Sequence, residues 1–286
     1  SQWLQDPNIT IPLIVLSMTW GSFGSTAILY LADLQSVNTD LYEAVEIDGG
    51  GTGTDAWEIQ ISGAGIPVAL MSIPLKYMHT SVETLAIPNS VTWIGDGVFS
   101  GCTSLKNITI PESVTKIQFG AFIGCTSLEK IVVAEGNPVY DSREGCNAII
   151  ETATNILVAG CKTTVIPNSV TEIGWNAFSN CTSLDSIAIP ESVTTIGGFS
   201  GCTSLTSITI PESVTKINRH TFKGCTALKS VTIPESVTEI GDGAFRDCNA
   251  LESIVLPESL KIIKEYAFGS CASLKSITIP KLVTKN

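Results

Sequence analysis

The sequence predicts a mainly β protein whose larger part is a curved solenoid of parallel strand ladders with short helical turns. Two observations predict it: one motif returns at a nearly constant interval, and each copy contains two short runs of alternating apolar residues. When the Ser of each S-V-T sequence is taken as a marker, the spacings from Ser90 to the equivalent Leu282 are 23, 56, 23, 21, 23, 23 and 23 residues. One such unit cannot bury its own apolar side, whereas stacked units form a continuous core.

Each repeat reads roughly S-V-T-x-I-G-x-x-A-F-x-G-C-T-S-L-x-S-I-T-I-P-E. The runs S-V-T-x-I and L-x-S-I-T-I are predicted strands, and the A-F-x-G-C-T segment between them suits a single helical or 3₁₀ turn. Pro234 ends the second strand of one copy because proline cannot donate to a ladder. The inward positions predicted for that copy are Val214, Ile217, Phe222, Cys225, Leu228, Val231 and Ile233.

The two irregular spacings indicate local changes to the solenoid. The repeat from Ser192 has I-G-G-F where its neighbours have two more residues, a loss that an outer loop can absorb. The 56-residue interval holds an extended unit at about 134–168. Within this unit, N-A-I-I-E and N-I-L-V-A-G flank a polar turn and predict an added β-hairpin.

The repeat motif closely resembles the BspA-like, or Treponema-type, leucine-rich repeat family over residues 80–286. The resemblance implies a leucine-rich-repeat solenoid in a bacterial protein that is secreted or lies on the cell surface. It further implies a non-enzymatic role in adhesion to host matrix proteins or other cells, with no cofactor. Residues 1–79 do not show the motif and are expected to form a separate N-terminal region, either a cap or a small β-rich domain.

The N-terminal region contains an uncharged stretch from Pro7 to Ala32 that is long enough to cross a membrane. Pro7, Pro12, Gly21 and Gly24 interrupt it, and its β-branched residues favour buried strands, so no membrane insertion is expected. No secretory signal is recognisable. The glycine-rich segment at 48–55 lacks the G-K-[ST] of a phosphate-binding loop and is predicted to be a hairpin loop.

The composition disfavours several classes of function. The formal net charge is −11, which argues against nucleic-acid binding because phosphate neutralisation needs a basic surface. The chain has only two His and no nucleophile elbow, and its acidic residues form no pair apart from the repeats, so an enzyme is not expected.

The nine cysteines allow three interpretations. A zinc site would need short ligand pairs such as C-x₂-C, which this sequence lacks. Disulfides between neighbouring coils are possible because coils lie about 5 Å apart, but equivalent side chains point the same way whereas a bridge needs its Cβ atoms within about 4 Å. A ladder of buried thiols is the favoured interpretation.

A row of carboxylates follows the strand-ending prolines. Stacked carboxylates repel one another, so either a hard cation such as calcium bridges them or they are solvated and splayed apart. We favour the second interpretation. The row comprises Glu191, Glu212, Glu235 and Glu258.

The binding candidates lie on the outward side of the strands, which is rich in Ser and Thr. One row there carries mixed charge: Lys106, Glu129, Asp185, Lys229, Glu252 and Lys275. Aromatic and Arg side chains make the strongest anchors in interfaces, which singles out Trp93, Tyr140, Trp175 and Arg219. The expected partners are surface or matrix proteins of a host or of bacteria, or glycans. The alternative is a structural spacer that presents another domain.

Overall fold

The computed structural model describes residues 83–284 in full and, before them, only the backbone of four strands. These are β1 (Ile14–Thr19), β2 (Thr26–Leu31), β3 (Ile59–Gln60) and β4 (Leu70–Met71). Strands β1 and β2 pair antiparallel within the uncharged N-terminal stretch, where strands were expected. The glycine-rich segment at 48–55 lies outside the described residues, and the division into two domains stays a prediction.

Residues 83–284 form a solenoid in which most repeats contribute a short strand to each of two parallel ladders. The first ladder is built from the L-x-S-I-T-I runs, and its partners are one repeat apart, as in Ile108 with Ile131 and Ile208 with Val231. Its strands are β5 (Thr84–Ala86), β7 (Asn107–Ile110), β9 (Lys130–Val133), β14 (Ser207–Thr209), β16 (Ser230–Thr232), β18 (Ser253–Ile254) and β20 (Ser276–Ile277).

The second ladder is built from the S-V-T-x-I runs. Its strands also pair parallel one repeat apart, as in Ile217 with Ile240. They are β6 (Trp93–Ile94), β8 (Lys116–Ile117), β13 (Glu172–Ile173), β15 (Lys216–Ile217), β17 (Glu239–Ile240) and β19 (Ile262–Ile263). Residues 83–284 contain no α-helix. Within the described part of the chain, no helix has the length and apolarity needed to cross a membrane.

The extended unit contains the predicted hairpin. Strands β11 (Ala148–Glu151) and β12 (Ile156–Gly160) pair antiparallel, with β10 (Tyr140–Asp141) on the other side of β11. A single 3₁₀ turn at Arg143–Gly145 joins β10 to β11. Strand β12 then pairs parallel with β13, which returns the chain to the second ladder.

The core lies between the two ladders, and the pattern of inward positions is confirmed for six of the seven predicted residues. Ile233 is only partly buried, whereas the other six are buried. Equivalent phenylalanines of successive repeats stack with ring centroids 5.1–5.6 Å apart from Phe178 to Phe268. Such offset stacks add to the free energy of burying the rings.

Hydrogen bonds between coils explain why the marker serine recurs. Its Oγ atom donates to the carbonyl oxygen of the Val that follows the marker in the preceding coil. For Ser236 and Val214 the distance is 2.7 Å, and for Ser259 and Val237 it is 2.8 Å. Ser113, Ser192 and Ser213 make the same bond. The hydroxyl therefore joins each coil to the one before it.

Candidate functional site

The repeated cysteines pack between coils, which confirms the favoured interpretation. All nine are free, and all except Cys271 are buried. The thiol of Cys225 donates to the carbonyl oxygen of Phe199 at 3.1 Å, and equivalent bonds join Cys202 to Phe178 and Cys248 to Phe222. Burial raises the pKa of Cys225 to about 12, so its thiol stays protonated at neutral pH and can donate. These groups are not poised for redox or nucleophilic chemistry.

The acidic row links successive turns. The backbone N–H of Glu212 donates to Oε2 of Glu191 at 3.1 Å, and that of Ser259 donates to Oε2 of Glu235 at 3.4 Å. Within residues 83–284, no three His, Cys, Asp or Glu side chains are grouped so that they could hold a metal ion.

The outward side chains of the first ladder form an exposed surface, which we call the front face. It includes exposed Ser and Thr such as Thr209, Ser230 and Thr232. The charged row on it is partly paired, by ion pairs that join Lys106 to Glu83 at 2.7 Å, Lys162 to Glu129 at 2.6 Å and Lys275 to Glu252 at 3.2 Å. Asp185 and Lys229 are exposed. The front face is therefore hydroxyl-rich, with most of its charge locally compensated.

The electrostatics of the charged row follow from these pairs. The carboxylate of Glu83 raises the pKa of Lys106, and the ammonium group of Lys162 lowers the pKa of Glu129. Both shifts favour the charged forms. Ion pairs this exposed contribute little to stability. The charged side chains of the row can therefore leave these partners and pair with charged groups of a ligand.

A groove that sequence reasoning missed interrupts the front face. Residues 184–190 form no strand, although their sequence matches the repeat. The preceding coil belongs to the extended unit, where the N–H of Val165 donates to the carbonyl oxygen of Cys146. The resulting groove has a volume of about 760 Å³ and is lined in part by Val165, Ile187, Ile189 and Thr209. It places exposed Val165 and partly buried Ile187 and Ile189 beside the hydroxyl groups of the front face.

Two of the four predicted anchors are buried or partly covered. Tyr140 is only 5 % exposed, and its hydroxyl accepts a hydrogen bond of 2.9 Å from the N–H of Ile117. The extended unit folds back over β8, which buries this ring. Trp93 is half-buried, with the Nζ atom of Lys116 located 5.3 Å from the centre of its ring. Its Nε1 atom is buried and has no hydrogen-bond partner within the described residues.

The other two anchors lie at one site. Trp175 is 53 % exposed, and the side chain of Arg219 is 60 % exposed. Both line a depression of about 240 Å³, which we call the notch, together with Asn176, Asn180, His220 and Lys223. The sequence separates these two anchors by 44 positions, and only the stacking of coils brings them together. The 21-residue spacing was the signal that could have located the notch.

The similarity to curated proteins is local. A xylose/arabinose import permease protein of Haloferax volcanii is 40 % identical over 47 residues, which are 16 % of this chain and 15 % of that protein. Because the match spans only 15 % of that relative, the relative's transport activity is not transferred to this chain. A family described as M42 glutamyl aminopeptidase matches residues 37–91 only, and nothing in the described residues adds a sign of catalysis.

Two solved structures share the fold with this chain. A leucine rich cell surface protein from Faecalibacterium prausnitzii is 32 % identical with a TM-score of 0.56, and a leucine-rich repeat protein from Eubacterium ventriosum is 28 % identical with a TM-score of 0.56. Each similarity covers 70 % of this chain and 61 % of the other, so the chain spans about three-fifths of their length.

The family comparison covers the repeats themselves. The BspA type leucine rich repeat region matches in six copies, over residues 75–144, 158–200 and 198–286. Together these ranges cover more than half of the chain. They include both ladders and the repeat from Ser192, which is two residues shorter than its neighbours. The chain therefore belongs to the BspA-type leucine-rich repeat family, as its repeat motif predicted.

Proposed function

We propose that this chain is a non-enzymatic binding protein of a bacterial cell surface, or a secreted one, that mediates adhesion to surface or matrix proteins. The observation that carries the proposal is the front face, an exposed strand surface that extends over successive coils and is interrupted by a groove with both apolar and polar lining residues. Solenoids offer such extended surfaces to their partners. The solved relative described as a cell surface protein supports the location.

The chemistry of the front face suits weak, repeated contacts. Its Ser and Thr side chains provide hydrogen bonds but few of the aromatic anchors that dominate tight interfaces. The groove adds Val165, Ile187 and Ile189 as apolar contacts. Single-site affinity is therefore modest, and the display of many copies on one cell raises it.

The test is to measure binding of the purified full chain to an array of host matrix proteins and glycans at physiological salt. We expect saturable binding to at least one matrix protein. The double variant Thr209→Lys and Thr232→Lys places two cations on the front face at residues that pair in register. This variant is expected to lose that binding.

A matched control places the same charges on the other ladder. Thr194→Lys and Thr215→Lys change the exposed threonines of two neighbouring S-V-T-x-I runs. The control should bind like the unchanged chain. Absence of binding by the folded full chain, or equal loss in both double variants, would contradict the proposal.

A second candidate function is that of a structural spacer. The Ser and Cys hydrogen bonds and the Phe stack join coil to coil, as a stiff rod requires. A folded full chain that binds nothing on the array would favour the spacer.

A further inference from the structure

The notch exists because one coil is shorter than its neighbours. Between Ile196 and Phe199 the short coil has only Gly197 and Gly198, where the neighbouring coils have four residues. The Phe178 N–H donates to the carbonyl oxygen of Gly198, and the Phe199 N–H to that of Thr221. These bonds align Gly198 with Ala177 and Thr221. The missing residues are therefore the counterparts of Trp175–Asn176 in the coil before and of Arg219–His220 in the coil after.

The short coil thus leaves the outer loops of its two neighbouring coils facing each other across a gap. Neighbouring coils lie about 4.8 Å apart, so the loops on either side of the short coil are separated by roughly 10 Å. On one side lie Trp175 and Asn176, and on the other lie Arg219, His220 and Lys223.

His220 has a backbone conformation in the left-handed region, with a φ of 56°. The equivalent positions Gly97, Gly120 and Gly243 also have positive φ, as does Tyr266 with a φ of 54°. Non-glycine residues in this region are uncommon and strained. A Cβ atom at Gly243 would lie 2.7 Å from Cδ2 of His220, so glycine there leaves room for the imidazole ring.

The charges around the notch leave a positive excess. The Nε atom of Arg219 lies 3.2 Å from Oδ2 of Asp242, which holds the guanidinium group in place. Arg246 is similarly balanced by Asp247. Within residues 83–284, Lys223 has no carboxylate within ion-pair distance. Burial lowers the pKa of His220, and so do the positive charges of Arg219 and Lys223. The imidazole is therefore neutral at pH 7 and can donate or accept a hydrogen bond.

The remaining groups suit a small ligand with many hydroxyls. The Nδ2 atom of Asn176 and the side-chain amide of Asn180 make no hydrogen bond within the described residues, and amides both donate and accept. The indole of Trp175 offers a π face, on which weakly positive C–H groups of a sugar ring can pack. The volume of about 240 Å³ is smaller than a drug-sized pocket, which limits the ligand to one or two rings.

We propose that the notch binds an anionic saccharide, a sugar ring that carries a carboxylate or a sulfate. Trp175 packs on the ring, Asn176 and Asn180 bind hydroxyls, and Arg219 and Lys223 bind the anion. Arg suits this role because its planar fork matches a carboxylate or sulfate with two parallel hydrogen bonds. This inference deepens the proposed adhesive function, on which it rests, by naming a ligand class and a site away from the front face.

The test is calorimetric titration of the full chain with methyl β-glucuronide, galactose 6-sulfate and neutral methyl β-galactoside. At least one anionic sugar is expected to bind, and the neutral sugar about tenfold or more weakly. Whether the carboxylate or the sulfate is preferred identifies the source of the anion, and either preference supports the proposal. Acetate, sulfate and adenosine monophosphate serve as comparison ligands.

Variants localise the site. Trp175→Ala and Lys223→Gln should each weaken binding about tenfold. Tyr266→Ala and Lys261→Gln are matched controls, because both residues are exposed but lie outside the notch, and they should leave the affinity unchanged. Insertion of Asp-Gly between Gly197 and Gly198 restores the usual coil length and fills the notch. It should abolish binding without lowering the melting temperature.

Several outcomes would overturn the proposal. These are no binding of any anionic sugar by the folded chain, bare anions binding as tightly as sugars, tighter binding of the nucleotide, and unchanged affinity after the insertion. The two proposals fail separately. Matrix-protein binding that survives when no sugar binds removes this inference only, whereas sugar binding without any matrix-protein binding removes adhesion to proteins only.

Discussion

The recurring cysteine shows how one side chain meets two demands of a stacked coil. It must be small enough for the tight turn after the A-F segment, and it adds a donor to a buried carbonyl oxygen of the preceding coil. The thiol of Cys225 fills the space and donates to the carbonyl oxygen of Phe199, which also accepts from the N–H of Cys202. The thiol is therefore a second donor to that oxygen and links the two coils. Packing and hydrogen bonding therefore account for the repetition of this residue.

The buried thiols predict a loss of stability at alkaline pH. Burial raises the pKa of Cys181 and of Cys225 from 9.0 to about 12. The unfolded chain therefore releases these protons at lower pH than the folded chain does. Their contribution to the free energy of unfolding is fully present below pH 9 and is lost as pH rises towards 12.

Urea unfolding at pH 8 and pH 10.5 measures this effect. The free energy of unfolding should be lower at pH 10.5, and the double variant Cys181→Ala and Cys225→Ala should show a smaller decrease between the two values. An equal decrease in the variant would show that other groups cause the alkaline loss.

The ladder of phenylalanines is the element that holds neighbouring coils in register. Phe222 lies between Phe199 and Phe245, with centroid distances of 5.6 and 5.4 Å, and is fully buried. Truncation there removes contacts with both adjacent coils at once. The serine bonds act on one coil at a time and lie at a partly buried position.

Phe222→Ala is expected to reduce the free energy of unfolding by about 3–5 kcal/mol, because it leaves a cavity in a packed core. Ser236→Ala should cost only about 1 kcal/mol, the usual net value of one hydrogen bond. Urea denaturation of the two variants under the same conditions checks the ranking. A larger loss for Ser236→Ala would mean that the hydrogen bonds, rather than the ring stack, join the coils.

The sequence predicted those features that depend on short-range periodicity. Inward positions, the strand-ending proline, the hairpin at Ala148–Gly160 and the buried thiols all follow from patterns within one repeat or from a comparison of repeats. Burial of Tyr140 could not be predicted, because the direction in which the extended unit folds back depends on tertiary contacts. The break at 184–190 has the same origin, since its own sequence fits the repeat.

The sequence identified two residues of the candidate site but not their proximity. Trp175 and Arg219 were identified as unusual residues in outer slots of the repeat. Their proximity depends on the two residues that the short coil lacks, and on the stacking that places the coil of Trp175 two positions from that of Arg219. An alignment of the repeats in the order in which their coils stack would have placed Trp175 and Arg219 close together.

The molecule as a whole combines a broad, weakly anchored front face with one compact notch. Its formal net charge of −11 keeps it from binding polyanions indiscriminately, so the positive excess at the notch is a local exception. A surface of this kind is effective when many copies act together. Linked binding events can raise overall avidity by about 10²–10⁴ without any new contact.

The decisive measurement compares one copy with many. Beads that carry the full chain at high density are allowed to settle on a surface coated with the matrix protein that binds on the array, and the same interaction is titrated with free chain. We predict weak binding of the free chain, firm retention of the beads, and loss of retention for beads carrying Thr209→Lys and Thr232→Lys. Beads that detach as readily as uncoated ones, with the chain folded, would contradict adhesion through the front face.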